Sequence, residues 1–463
     1  MKPVSLAWTE AWSIPTESLG LWRLATGLVL LAEWRDRILQ LDPLYLHEGL
    51  RRTGDLMRLV EGWTGPWPGW AVVALASLGL VAATAWTVGW LTRWAQGLAL
   101  GTFALFANLN LMTGHAGDVF LIGIIFWTLP LPCGASFSLD QWRGAKSTRW
   151  PGADLAALGQ LALVYALAGL AKTGEGWRTG EALARALGGS LGSATGISTV
   201  ETLPAWTLAL VGKILPGLEL LLALLILCPW FRPWPRRLAL GLAAALQLGL
   251  VLLMDLGLLP WAMLAACLLL IQREDWGIWP QRPAWAPSDR HLSEPVRGPG
   301  VVWLALFFLA AAVSADTTLH RTWRWDGRLA PTWLWQPLHL AQLHQDWGMF
   351  APDVRPFRTD FRLEVEGTCG TLWTFGDRTG SFLGASGKGW RKYIEQAAHP
   401  KRETERNHLL ALAARYAARH GIEVRRVRLV RVTMPIGSTA QSRDPGETVV
   451  GELAFTPHRP PTD

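Results

Sequence analysis

Cysteine and lysine are among the scarce residues of this 463-residue chain. The four cysteines, Cys133, Cys228, Cys267 and Cys369, lie far apart, and three sit at or inside apolar runs. With no Cys-x-x-Cys or Cys/His spacing among them, neither a structural zinc nor a disulfide framework is indicated. Lysine supplies only seven of the 43 basic residues, the rest being arginine. No glycine-rich stretch closes with the Gly-Lys-Ser/Thr of a phosphate loop; EALARALGGSLGSATG (181–196) is helix-like and then Gly/Ser-rich, which argues against nucleotide binding. None of the ten histidines falls within an apolar run, which disfavours a haem held by two helix histidines. No His-x-x-x-His or carboxylate–His pair sits on such a run either, so no metal is expected. The first apolar run is interrupted by Glu33, Arg35 and Asp36 and lacks a small-residue cleavage site, so it reads as an uncleaved first helix.

Apolar residues are abundant. They make up 50% of the chain and come in long blocks, the pattern of a polytopic α-helical membrane protein. A hydrocarbon core about 30 Å thick needs about 20 apolar residues per helix. Nine blocks qualify as candidate spans, 19–34, 69–91, 95–112, 118–132, 154–172, 205–228, 237–254, 256–272 and 299–316; several are short, so the expectation is eight or nine spans. The chain also carries 29 tryptophans. Trp70, Trp86, Trp90, Trp94, Trp127, Trp150, Trp177, Trp206, Trp230, Trp261 and Trp276 fall near block ends, as an interfacial belt predicts.

Charge asymmetry sets an orientation. The short connections around Arg93, around Arg143, Lys146 and Arg149, around Arg232, Arg236 and Arg237, and around Arg273, Arg282, Arg290 and Arg297 are basic; the alternate connections 113–117 and around Asp255 carry no Lys or Arg. An N-terminus inside puts every basic loop in the cytoplasm, with loops 35–68 and 173–204 and everything after the ninth span outside. The net charge of +7 reflects this bias and an arginine-rich tail, and does not of itself indicate a nucleic-acid partner.

The chain is organised around YALAGLAKTGEGW (165–177). An apolar helix from near Asp154 runs into Lys172, and Thr173-Gly174 make a plausible helix end. The ammonium is thereby placed at the mouth of a membrane span, where an ionisable group either marks a functional site or snorkels to the headgroups. A chain that otherwise meets its charge needs with arginine keeps here an amine able to lose its proton. In the sixth span Lys213 and Glu219 lie on roughly opposite helix faces, each needing a partner elsewhere or a wet cavity, with Pro216 between them predicting a kink. Gln247 lies in the seventh span and His115 and Asp118 in the connection before the fourth.

Residues 42–52 and 55–63 read as an external, partly amphipathic segment. From about residue 319 the composition turns soluble, giving two expected domains, a bundle over 1–318 and a small α+β domain over 319–463. Alternation at 361–365 and 371–375 predicts a hairpin across GTCG, with further strands at 422–434 and 447–455. Residues 389–398 and 403–420 read as helices. The arginines of RRVRLVR (425–431) read as a solvated strand face.

The stretch around Lys172 resembles that around the catalytic lysine of vitamin K-dependent gamma-carboxylase, lining up without a gap on Tyr165, Gly169, Lys172 and Trp177. SLGLWRLATGLVLL (18–31), GD-x-FLIG-x-x-FW (117–127), FSLD (137–140) and LGLLPWAMLA (256–265) are similar to further family elements. QDWGMFAPDVRP (345–356) and GWRKYIE (389–395) resemble elements of bacterial proteins with the horizontally transferred transmembrane (HTTM) domain, the wider group that includes the carboxylase. Together these cover most of residues 18–440.

The resemblance implies that Lys172 deprotonates a reduced naphthoquinone of the vitamin K kind. Oxygen then adds, the resulting alkoxide takes a proton from a glutamate γ-carbon, carbon dioxide adds to the carbanion, and the quinone leaves as the epoxide. Partial burial of an amine frees such a base, and a lipid-soluble quinol reaches it laterally. Asp118 would be the second catalytic residue, with Glu219, Gln247, Tyr165, Trp177 and His115 lining the cavity.

The chain departs from the family where the carboxylase has histidines. Asp118 replaces one, Gln247 and Leu250 stand where the carboxylase has a His and a nearby Asn, and the cysteine bridge has no counterpart; the family's sixth-span acid is matched by Glu219. Two readings follow. One is a quinol-dependent carboxylase- or epoxidase-like enzyme of the bacterial inner membrane, acting on a periplasmic protein or peptide. The other is a non-catalytic membrane protein whose bundle binds a lipid or partner and whose periplasmic domain docks other proteins.

Overall fold

The computed structural model describes residues 11–46, 50–145, 148–277, 297–323, 330–376, 388–436 and 446–455. The basic loop residues Lys146, Arg282 and Arg290 lie outside them.

Each of the nine apolar blocks forms a helix: Thr16–Leu39, Gly69–Val88, Thr92–Leu109, Ala116–Trp127, Ala153–Ala171, Ala205–Leu227, Trp234–Leu253, Leu259–Cys267 and Arg297–Trp323. Five stretches, Gly69–Val88, Ala153–Ala171, Ala205–Leu227, Trp234–Leu253 and Gly300–Trp323, are long and apolar enough to cross a membrane. The 12 residues of Ala116–Trp127 rise only about 18 Å as a helix. The nine helices alternate in direction between two ends of one bundle.

At one end, arginines tie the connections together. Arg149 donates to the Ile14 carbonyl at 2.8 Å, Arg236 to the Ala11 carbonyl at 3.0 Å and Arg93 to Thr148 Oγ1 at 2.6 Å, while Ser18 reaches the Ile271 carbonyl at 2.8 Å. At the other end sit the short Asp42–Leu46 and Asp55–Thr64 elements, the Glu175–Thr202 helices and the C-terminal sheet.

Small residues let the helices close on one another, as expected where apolar side chains gain little by leaving lipid. A Cβ on Gly79 would come within 2.1 Å of the Trp34 ring, and one on Gly27 within 2.3 Å of Thr87 Oγ1. The Ala205–Leu227 and Ala153–Ala171 helices share the most extensive helix–helix contact among the described residues.

The tryptophan belt needs a correction. Trp70, Trp90, Trp94, Trp206, Trp230 and Trp261 are exposed, but Trp86, Trp127 and Trp177 are buried. Trp86 meets Trp22 edge-on at 5.7 Å and Trp127 meets Phe307 edge-on at 5.1 Å. Block ends are also where neighbouring helices cross, and a large ring facing inward there becomes core.

The sheet is antiparallel in the order β2-β1-β3-β4, built from β1 (Phe357–Gly367), β2 (Leu372–Gly376), β3 (Val424–Pro435) and β4 (Gly446–Ala454). The expected hairpin is present, Leu363 pairing Phe375 and Val365 pairing Trp373. Leu363, Val365, Val427 and Leu429 turn inward, and the Glu403–Arg419 helix buries Leu409, Leu410, Ala413 and Ala417. The β3 arginines are cross-strand partners: Arg428 meets Glu364 at 3.1 Å, Arg425 meets Glu366 at 3.2 Å and Arg426 meets Glu452 at 3.4 Å. Carboxylates on both neighbouring strands fill what composition alone left as a solvated face.

The expected boundary at 318/319 falls inside the Arg297–Trp323 helix. Beyond it, residues 343–354 return to the bundle, where Gln345 and Trp347 are each 1% exposed. The sheet is held to the same end by Arg52–Glu405 at 2.7 Å, Arg391–Asp255 at 3.1 Å and Ser190 Oγ donating to the Thr359 carbonyl at 2.7 Å.

The tryptophan assignment is testable by thermal unfolding in detergent. Trp86→Ala is expected to cost about 3–5 kcal/mol, and Trp94→Ala, at a fully lipid- or solvent-facing site, no more than about 0.5 kcal/mol.

Candidate functional site

The Ala153–Ala171 helix stops at Lys172, whose backbone leaves the helical region and whose N–H still reaches the Gly169 carbonyl at 3.3 Å. The chain restarts as a short helix at Glu175. The lysine side chain does not run outward to a membrane surface. It folds back along its own helix, donating from Nζ to the Ala168 carbonyl at 3.1 Å and to the Glu219 carboxylate at 2.8 and 2.6 Å. Only 4% of the Lys172 side chain and 12% of the Glu219 side chain are exposed. Trp177 covers the amine, its ring centroid 5.5 Å from Nζ, which adds a cation–π contact when the nitrogen is charged.

Glu219 is brought there by close helix packing. Gly169 allows it: a Cβ at that position would lie 2.9 Å from the Pro216 carbonyl oxygen. Proline inside the Ala205–Leu227 helix removes one N–H from its ladder, and the turn beside it presents Glu219 to the lysine. Lys213, on the opposite face, is exposed. The sequence leaves both residues of this helix in need of a partner, and the fold supplies one to Glu219.

Two helical turns before Lys172, roughly 10 Å along the axis, the buried Tyr165 hydroxyl accepts from Gln247 Nε2 at 3.0 Å. Gln247 is 3% exposed and its Oε1 has no hydrogen-bond partner among the described residues. Turning the amide over would strand the nitrogen instead, so one polar atom stays unpaired either way. An unpaired buried acceptor costs about 1–3 kcal/mol, which a hydroxyl-bearing ligand or a water would recover.

Asp118 and His115 belong to a second group. Asp118 lies in the first turn of the Ala116–Trp127 helix and faces the first helix, where Arg37 Nη2 meets its carboxylate at 2.5 Å. Arg37 Nε also holds Glu33, one turn away, at 2.9 Å. His115 Nε2 sits 3.5 Å from Glu33 and 3.6 Å from Asp118. A cavity of about 30 Å³, room for a water, opens beside Arg37, Gln40, Tyr45, Thr113 and His115. The ligand atoms of Glu33, His115 and Asp118 lie within 4.8 Å of one another, a spacing a cation could bridge. The guanidinium already stands between both carboxylates as their counter-charge. The structure therefore brings Lys172, Glu219 and Trp177 together, places Tyr165 deeper along the lysine's helix with Gln247 of the Trp234–Leu253 helix bonded to it, and joins Asp118 and His115 to Arg37.

A model of the HTTM domain matches residues 13–276. The chain belongs to the HTTM-domain family. The matched region contains every residue of both groups and ends before the Arg297–Trp323 helix and the sheet. No curated protein and no solved structure matches the chain.

Sequence reading of this HTTM protein overlooked Arg37 and Glu33 as site residues, although their i,i+4 spacing signals a helix ion pair. It also overlooked Gln345, which accepts from Gln160 Nε2 at 2.7 Å. No local signal marks that contact, because its partners are 185 residues apart.

His115, in the connection ahead of its helix, has a definite pH signature. Burial disfavours its charged form, but the Asp118 charge and the hydrogen bond and charge of Glu33 outweigh burial and raise its pKa above the ordinary 6.5. A raised folded pKa stabilises the fold fully at pH below the unfolded value, and the contribution is lost as pH rises through the folded value. The melting temperature is therefore expected to fall as pH climbs past 6.5, and His115→Asn to flatten that part of the profile. A wild-type profile flat over this range would contradict the assignment.

Proposed function

We propose that this HTTM protein is an integral membrane enzyme of the carboxylase-like kind, in which Lys172 is the base towards a lipid-soluble quinol. The observation that carries the reading is the buried Lys172–Glu219 contact at 2.6 Å. Two opposite charges withdrawn from water lose hydration that their attraction only partly restores. The pair can instead hold one proton between nitrogen and carboxylate and remain neutral. A quinol hydroxyl approaching Nζ would give its proton to the free amine while the Glu219 carboxyl keeps its own, and the ammonium so formed would be the counter-charge of the quinolate. Gln247 Oε1 supplies an acceptor for a second hydroxyl, and the Trp177 face and apolar helix walls suit a flat ring. A reduced naphthoquinone, with oxygen and carbon dioxide as co-substrates, follows from the resemblance to vitamin K-dependent gamma-carboxylase. Asp118, charge-paired with Arg37, is assigned a part in holding His115 and its proton beside the cavity.

The same reading includes all nine helices as membrane crossings in a bacterial inner membrane. The arginine-tied end of the bundle would face the cytoplasm and the sheet the periplasm, as the positive-inside rule requires, with a periplasmic protein or peptide as the acceptor.

One observation favours the non-catalytic alternative: with Glu219 and the Ala168 carbonyl, Lys172 is already satisfied, as a purely structural clasp between two helices would be. The two readings separate on replacement of the pair. Lys172→Met and Glu219→Gln alone each strand a buried group and are expected to cost about 3–5 kcal/mol, whereas Lys172→Met with Glu219→Leu restores stability. Oxygen uptake driven by a reduced naphthoquinone in proteoliposomes is expected to stay lost in the double variant. Its return there would leave only the clasp.

A further inference from the structure

Residues 343–354, between the last bundle helix and β1, form a strap outside the HTTM-matched region. Its first half is anchored inside the bundle. Gln345 N–H donates to Ser314 Oγ at 3.1 Å and Trp347 N–H to Thr318 Oγ1 at 3.2 Å. Gln345 Oε1 accepts from Gln160 at 2.7 Å and from the Trp347 indole at 2.8 Å. Trp347 meets Phe120 edge-on at 6.2 Å. The anchor thus touches three helices, including the one that ends at Lys172.

Its second half grips the residues that follow the lysine. The Pro352 carbonyl accepts from Gly174 N–H at 2.7 Å, the Asp353 carboxylate from Gly176 N–H at 2.8 Å, and the Phe350 carbonyl from the Trp177 indole at 3.0 Å. Asp353 is itself fixed by the Val354 N–H at 2.8 Å. The spacing of Lys-Thr-Gly-Glu-Gly-Trp makes room for this grip. A Cβ at Gly174 would fall 2.6 Å from the Pro352 oxygen, and one at Gly176 would fall 2.3 Å from the Asp353 carboxylate. Two glycines here are explained by the approach of a chain 177 residues away.

We infer that Asp353 and the Phe350 carbonyl are positioning groups for Lys172: they fix Gly176 and the Trp177 indole, and through them the ring that covers the amine. The inference rests on reading Lys172 as the reacting group. Without the Asp353 bond the Glu175–Thr179 helix loses one of its tethers to the strap, and the ring leaves Nζ accessible from outside.

The test uses the full chain in phosphatidylcholine nanodiscs, with isotopic acetic anhydride as the probe. Mass spectrometry follows the acetylation rate of Lys172 relative to the exposed Lys401 across pH. Asp353→Ala is expected to raise the ratio about fivefold, the loss of one capping-type bond. Asp353→Asn, whose amide oxygen still accepts from Gly176, is expected to stay near wild type. Trp177→Phe, which keeps the ring but lacks the donor to Phe350, should raise the ratio as well. Arg391→Ala loosens the sheet at Asp255 and Ser190 without touching the strap, and should leave it unchanged. An unchanged ratio in Asp353→Ala, or an equal rise in Arg391→Ala, overturns the inference. Should Asp353→Ala fail to accumulate, Gly176→Ala displaces the same carboxylate by crowding and must give the same rise. These rates do not depend on turnover. A rise with quinol-driven oxygen uptake absent throughout would keep the strap and discard the enzyme; uptake dependent on Lys172 with no rise would do the reverse.

Discussion

A single buried contact constrains this protein more than any other: the lysine Nζ and a glutamate carboxyl oxygen brought within 2.6 Å in an interior of apolar side chains. Neither group is tolerable there alone, because removing one leaves the other without water or counter-charge. Several features of the fold can be read as meeting that requirement. Gly169 thins one helix so that its neighbour can approach, Pro216 interrupts the neighbour's ladder close to the acid, and the lysine helix ends so that the side chain can turn back rather than out. The backward turn separates a lysine held for chemistry or clasping from one that snorkels.

A second polar group repeats the logic with different chemistry. Arg37 answers two carboxylates at once, from Glu33 on its own helix and Asp118 across the bundle, and His115 completes the set beside a water-sized cavity. Arginine keeps its charge, so the two carboxylates face a permanent counter-charge. Both groups lie at the bundle end on which the sheet sits, and the Lys388–Ala397 helix packs on the Leu111–Thr113 turn just ahead of His115.

Much of this architecture is legible in the chain itself. Nine apolar blocks became nine helices, Arg93, Arg149 and Arg236 of the basic connections gathered at one end, and the alternation of Leu363 with Val365 and of Trp373 with Phe375 gave the expected hairpin. These patterns are local: a helix or strand declares itself through the period of its own apolar residues. Lys172 was singled out on the same footing, by an ionisable group at the end of an apolar run. Asp118 and His115 were singled out too, but their charge partner was not, because Arg37 lies 81 residues from Asp118 and nothing in the spacing joins them. Trp86 and Trp127 sit at block ends like their exposed counterparts, and only the side to which each helix turns distinguishes belt from core.

What the residues alone determined is therefore the membrane character, the helical blocks, the small sheet and the presence of one exceptional lysine, since each follows from hydropathy, periodicity and the cost of charge in hydrocarbon. What only the tertiary structure decided is pairing: Glu219 and not Lys213 for the bundle interior, Arg37 for Asp118, Tyr165 for Gln247, and Phe350 and Asp353 for the turn after the lysine. Partners of this kind are chosen by which helix faces meet and how closely their backbones approach, and that information exists nowhere along the chain until the helices are packed.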